Sequence, residues 1–181
     1  MARQIALLRG INLGSRNRVS MPDLRAALEA AGYEDVATLV QSGNIVFTSP
    51  KKPKTLEREI SKLVEDELGV SCATVVRTRD ELAAAIERNP IPDGPSTPKL
   101  FQVTFFSGEP DAAAVAKLAE QDFGNEQVEV IGREAYAWHP DGVQKSKLAR
   151  ELSKGLRGDG TARNWNNFLS TSCAMLWMPR R

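Results

Sequence analysis

The sequence predicts an α+β fold of two halves that share one order of elements. Three observations carry this. Apolar residues switch repeatedly between a period of two and a period near 3.6, capping signals fall between those stretches, and a proline-dense segment at 89–98 separates the two series.

Residues 4–9 form a first strand with aliphatic side chains on both faces. Ser20 stands where a helix N-cap belongs, with Asp23 three positions on as a weak capping box. Leu24, Ala27, Leu28 and Ala31 then recur at helical spacing, and Gly32 supplies the stop. Residues 36–41 and 44–49 alternate as strands around a Ser42-Gly43 turn. A second helix over 54–68 carries Leu56, Ile60, Leu63, Val64 and Leu68 on one stripe and ends at Gly69. A strand at 72–77 follows, and Thr78 with Glu81 forms a capping box for a short helix through Arg88. The order β-α-β-β-α-β is the split βαβ, ferredoxin-like arrangement.

Residues 89–98 hold four of the ten prolines, a density that neither a helix nor a central strand tolerates. This segment is expected to link a first half at 1–88 to a second at 99–181. The pattern then restarts. A strand at 99–106 places Phe101, Val103 and Phe105 on one face, and a helix over 110–121 carries Val115, Leu118 and Ala119. Strands at 127–131 and 134–139 turn at Gly132-Arg133, and a helix over 145–156 carries Leu148, Leu152 and Leu156. Gly155, Gly158 and Gly160 loosen the chain before a last helix, capped by Thr161 and packed through Trp165, Phe168 and Leu169. The halves share element order but no visible residue-level similarity. The fold expected is a tandem of two ferredoxin-like halves, the second ending in a helix and tail.

Composition bounds the function. A chain of 181 residues buries a sizeable core without metal or disulfide staples. With 24 basic and 23 acidic side chains, it lacks the excess cations of a protein that grips extended nucleic acid. Two cysteines, Cys72 and Cys173, give no disulfide framework and fit a reducing cytoplasm. Cys72 reads as a core residue in a strand. Arg3 and Arg9 bracket only a short apolar run, so no signal peptide is expected, and no apolar stretch suggests a membrane span.

Four segments together resemble the DUF1697 family, small bacterial proteins without an assigned function. They are Leu7–Gly14 with the helix after it, Gln41-Ser42-Gly43-Asn44-Ile45-Val46-Phe47, Lys145-Ser146-Lys147-Leu148 and Thr161–Asn166. They spread over residues 5 to 166. The resemblance implies two ferredoxin-like halves and no particular activity. One departure stands out. Members usually continue an amphipathic helix after Phe168-Leu169, whereas this tail has β-like composition around Cys173–Met178, which suggests either a last strand or a diverged end.

Metal or cofactor chemistry is not expected. His139 is the only histidine, no ligand cluster has metal spacing, and Gly10–Gly14 is neither a Walker loop nor a dinucleotide fingerprint. His139 reads as a surface or hydrogen-bonded residue. Anion binding is the better fit. The loop at 10–20 combines glycines with Arg9, Arg16 and Arg18 and leads into a helix N-terminus. The expected ligand is a phosphate-bearing small molecule, a nucleotide or a nucleic-acid end, held where the two halves meet. Arg9, Lys147 and Arg163 would neutralise charge, and Asn12, Gln41, Asn44 and Asn164 would orient the ligand. An enzymatic alternative is an acylphosphatase-like hydrolase using Arg16 or Arg18 and Asn44, which rests on fold analogy. A third is a protein-interaction module without a small ligand. Tyr136 with Trp138, and Phe101 with Phe105, suit either a base-stacking platform or the surface where the two halves meet, and the latter is preferred.

Overall fold

A computed structural model of the protein describes residues 2–177, with side chains through Cys173. The chain divides into two compact units. One runs to Ala83 and resumes at Ser170, and the other is Ala84–Leu169.

The first unit contains β1 (Ala2–Leu8), α1 (Met21–Ala30), β2 (Glu34–Leu39), β3 (Asn44–Ser49), α2 (Pro53–Leu68) and β4 (Thr74–Thr78). Its strands form an antiparallel sheet in the order β2-β3-β1-β4. Strand alternation explains the layering. Ala6, Leu8, Ile45, Phe47 and Val76 join Leu24 and Leu28 of α1 and Leu56, Ile60 and Val64 of α2 in one core. Burying each large apolar side chain contributes about 1.5–3 kcal/mol. The opposite face is buried too, at Ile5, Leu7, Val46 and Val75, and it includes Arg77, which is fully buried. The caps act as the sequence predicts. The Asp23 N–H donates to Ser20 Oγ (3.4 Å), and Gly69 ends α2 at φ 67°. Thr78 and Glu81 exchange hydrogen bonds of 2.8 and 3.2 Å to start α3 (Arg79–Glu87). Cys72 lies just before β4, half-buried, and burial followed by the Glu65 charge pushes its thiol up to about 11.

The second unit contains β5 (Phe101–Phe106), α4 (Ala112–Ala119), β6 (Gln127–Ile131), β7 (Glu134–Trp138), α5 (Lys147–Ser153) and β8 (Gly160–Asn164), and it reaches into α6 (Trp165–Trp177). Its sheet is again antiparallel, in the order β6-β7-β5-β8. Phe106, Ala135 and Ala137 pack with Leu118, Leu148, Leu152 and Leu156. Residues 89–98 carry a 3₁₀ turn at Gly94–Ser96. A Cβ on Gly94 would lie 2.7 Å from the Phe101 ring.

Three expectations are corrected here. Thr161 does not cap a helix. It lies within β8, and Asn164 Oδ1 accepts from the Asn167 N–H (2.9 Å) to start α6. Gly160 does not loosen the chain either. It lets β8 approach β5, since a Cβ there would stand 2.7 Å from Phe106 Cδ1. The tail residues 173–177 continue α6 rather than forming a strand, and Met178 lies outside the described residues. Trp165 and Phe168, at helical spacing, pack tilted or edge-to-face against each other and against Phe101 and Phe105 at centroid distances of 5.0–5.2 Å, which docks the start of α6 on β5.

Candidate functional site: a loop pocket in the first unit

The connection from β1 to α1, residues 9–20, is held by its own polar groups. Gly10, Asn12, Gly14 and Asn17 all adopt positive φ, a region that Gly and Asn tolerate best. The Asn12 N–H donates to Asn17 O (2.9 Å), and Asn17 Nδ2 donates to Gly10 O (3.1 Å). Asn12 Nδ2 donates to Val19 O (3.0 Å) and to Gln41 O (2.9 Å), while Asn12 Oδ1 accepts from the Val19 N–H (2.9 Å). Ile11 and Val19 anchor the loop in the core.

The contact with Gln41 ties this loop to the Val40–Gly43 turn between β2 and β3. Gly43 has φ 72°, and a Cβ there would fall 2.6 Å from Ile11 Cδ1 and 2.9 Å from Leu8 Cβ. Only glycine fits. Val40 is the opposite case, a β-branched residue at φ 53°. That conformation costs on the order of 1–3 kcal/mol.

The two loops enclose an open pocket of about 470 Å³ lined by Asn12, Gly14, Arg18, Val19, Ser20 and Gln41. Arg18 is exposed, and among the described residues its side chain takes part in no hydrogen bond or ion pair. No lining residue is acidic. The N-terminus of α1 adds little, because Pro22 has no N–H and the Asp23 N–H is taken by Ser20. The cation available to an anion is therefore Arg18.

Of the residues expected at the site, Asn12 and Gln41 come together in this pocket, with Asn12 as the brace of its wall. Both amide hydrogens of Asn12 are already donated to main-chain carbonyls. Arg9 and Asn44 do not line it. The Arg9 N–H donates to Ala73 O (2.9 Å), and Asn44 is fully buried with its Nδ2 on Ser42 Oγ (3.4 Å). In the second unit, Arg163 is buried and donates from Nη1 to Thr161 Oγ1 (2.7 Å) and Ala162 O (2.9 Å). Burial pushes its guanidinium down to about 10. Asn164 serves as the cap of α6, and Lys147 is exposed at the start of α5.

Residues 1–136 match a family described as "Protein of unknown function (DUF1697)". The chain belongs to this family. The DUF1697 match takes in the whole loop pocket, whereas Lys145–Leu148 and Thr161–Asn166 lie beyond it. Among solved structures, the chain is similar to the conserved bacterial protein SP0830 from Streptococcus pneumoniae. The TM-score is 0.78 at 22% identity over 96% of this chain and 98% of that one, a likeness of fold. No curated protein matches.

This DUF1697 chain also assembles Ser146, His139 and Glu126, three residue types that elsewhere make a nucleophilic relay. The geometry forbids one. Ser146 Oγ (3.0 Å) and Glu126 Oε1 (2.8 Å) both meet the same ring nitrogen, Nδ1, while a relay needs them on opposite nitrogens. His139 is fully buried, so it is hydrogen-bonded but not a surface residue, and among the described residues its Nε2 has no partner. The cluster pins the start of α5. Ser146 Oγ accepts from the Ala149 N–H (2.7 Å), and Glu126 Oε2 accepts from the Leu148 N–H (3.3 Å). Burial would raise the Glu126 carboxyl, but bonds from Ser146, His139 and the Leu148 N–H hold it below the usual carboxylate range.

Phe101, Phe105 and Tyr136 are fully buried, and Tyr136 Oη donates to Ala85 O (2.6 Å), so they offer no base-stacking platform. Burial, then the Glu134 charge, pushes the Tyr136 phenol up to about 12. Burial of Asn44 also removes the water-orienting group that an acylphosphatase-like reaction needs. Among the described residues, no cluster of His, Cys, Asp or Glu suits a metal ion, and no helix is long and apolar enough to cross a membrane.

Proposed function

We propose that this protein binds a small anionic, phosphate-bearing ligand in the loop pocket of its first unit. One observation carries the reading: an exposed, unengaged arginine lines a preformed pocket without acidic neighbours. Arg18 supplies a two-pronged donor for phosphate or carboxylate oxygens. The Gln41 side chain is exposed at the pocket wall and supplies both a donor and an acceptor for the rest of the ligand. Asn12 acts through the loop, by fixing the distance between Arg18 and Gln41. We place the pocket on a ferredoxin-like half, since β-α-β-β-α-β with strand order 2-3-1-4 fits that arrangement. The free cysteines suit a protein of a reducing bacterial cytoplasm.

The test is ligand-induced thermal stabilisation at low salt, with phosphate, sulfate, mononucleotides and acetyl phosphate. Ligand at about 100 times its Kd adds roughly 2.7 kcal/mol, a clear rise in Tm. Arg18→Ala should abolish the response with the fold intact. A response that survives Arg18→Ala, or none across the panel, would sink the reading.

A further inference from the structure

Among the described residues, the exposed large hydrophobics are Leu13, Val40 and Leu169, with Leu13 68% and Val40 53% exposed. Two of these three are sequence neighbours of pocket-lining residues. Leu13 follows Asn12 and Val40 precedes Gln41, and Asn12 Nδ2 donates to Gln41 O at 2.9 Å. Isolated exposed leucines need no explanation, but here two exposed apolar residues adjoin the two ends of one loop-to-loop tie. Neither is explained by packing. Val40 also holds a left-handed conformation that glycine or asparagine would adopt with less strain. Around them, the first 22 residues contain Arg3, Arg9, Arg16 and Arg18 and no acid. Small-molecule sites combine apolar surface with a few placed polar groups.

We infer that the ligand of this pocket is an amphipathic anion: a phosphate or carboxylate on Arg18, joined to an apolar substituent that lies across Leu13 and Val40. The inference rests on the anion-binding reading above and specifies its ligand class. An alkyl or aryl phosphate monoester has this chemistry, and a bare phosphate or a sugar phosphate has only half of it. Covering two exposed apolar side chains favours the amphipathic ligand by about tenfold or more in Kd.

Calorimetric titration of the full chain with inorganic phosphate, glucose 6-phosphate, phenyl phosphate and monomeric hexyl phosphate tests this. Phenyl and hexyl phosphate should bind tighter than the two polar probes by that factor, and Arg18→Ala should remove all binding. Leu13→Ser and Val40→Gly should each erase part of the apolar increment and leave phosphate affinity unchanged. Val40→Gly should at the same time raise Tm, because glycine takes this φ without strain. Equal affinity for all four probes, dependent on Arg18, would overturn the amphipathic ligand and leave the anion site standing. Absence of binding by every probe would overturn both. Hexyl or phenyl phosphate binding that is indifferent to Arg18 would also overturn the inference. So would binding to anionic phosphatidylglycerol vesicles without binding to monomeric hexyl phosphate, which would reassign the two side chains to a lipid surface.

Discussion

The two units connect their first strand to their first helix in very different ways. Between β1 and α1 the chain spends residues 9–20, with three arginines and no acid; between β5 and α4 it spends only residues 107–111, with Glu109 and Asp111. The hairpins differ alike. Val40–Gly43 joins β2 to β3, whereas Gly132-Arg133 alone joins β6 to β7. Strand order is the same in both sheets, so the scaffold does not explain the contrast. In the second unit the connections are short, and the one before α4 is tied locally: Asp111 Oδ1 caps α4 by accepting from the Ala114 N–H (2.8 Å) and pairs with Arg157 (3.6 Å). In the first, they are long enough to fold on each other and enclose a pocket. Binding chemistry is carried by such loops on a rigid sheet.

The sharpest way to break this comparison is the pair of hairpin glycines. Gly43→Ala meets both a positive φ and the Ile11 and Leu8 side chains, so a loss of about 2–4 kcal/mol is expected. Gly132→Ala meets only its φ of 57°, with open space around it, and should cost about 1 kcal/mol. Urea unfolding of both variants checks this, and equal losses would mean that the first hairpin is no more built than the second.

Next come the two asparagines. Asn12→Ala removes three hydrogen bonds and should cost roughly 1–3 kcal/mol, and it should also weaken ligand binding because Arg18 and Gln41 lose their spacing. Asn164→Ala removes a helix cap, worth about 1 kcal/mol, and should leave binding alone.

Acid should act through carboxylates in both units. Glu126 titrates lower folded than unfolded, so the unfolded state takes up more protons as pH falls. Its contribution is whole above the ordinary carboxylate range and is lost on acidification. Glu126→Gln should therefore lower Tm at neutral pH and flatten the acid limb of Tm against pH. Glu59 in the first unit is lowered mainly by its hydrogen bond from the exposed Lys51, at 2.7 Å, so Glu59→Gln should change the acid limb less and be masked by salt. The smallest stability effect belongs to Arg18→Ala, within about 0.5 kcal/mol, although it should remove the ligand response entirely.

Much of this was legible in the sequence where the signal is local. Ser20, Thr78 with Glu81, and Gly69 announce helix ends because the cap is made by residues three or four apart. β8 was not legible, because Gly160 resembles a flexible position until Phe106 is seen against it across the sheet. The helical tail was not legible for a similar reason, since the Trp165 and Phe168 contacts that dock the start of α6 on β5 are made across the fold. At the site, the arginine-rich loop was visible, but which arginine lines a pocket was not. Left-handed turns at Asn12 and Asn17 decide that Arg18, and not Arg9, does so. Leu13 and Val40 gave no signal, since exposure of a single apolar residue has no sequence signature.

The buried arginines give the two sheets a common ruler. Counting rungs of the ladder, Gln4 to Leu8 faces Thr78 to Thr74, and Gln102 to Phe106 faces Asn164 to Gly160. Each ladder has a glutamine on its first rung and an arginine, Arg77 or Arg163, on its second. The likeness between halves that a linear reading misses is thus present as a correspondence of rungs, with Leu8 and Phe106 as matching exit points. A chimera spliced at those two residues would carry the arginine loop onto the second sheet without shifting a single rung, and so would separate what the loop does from where it was first mounted.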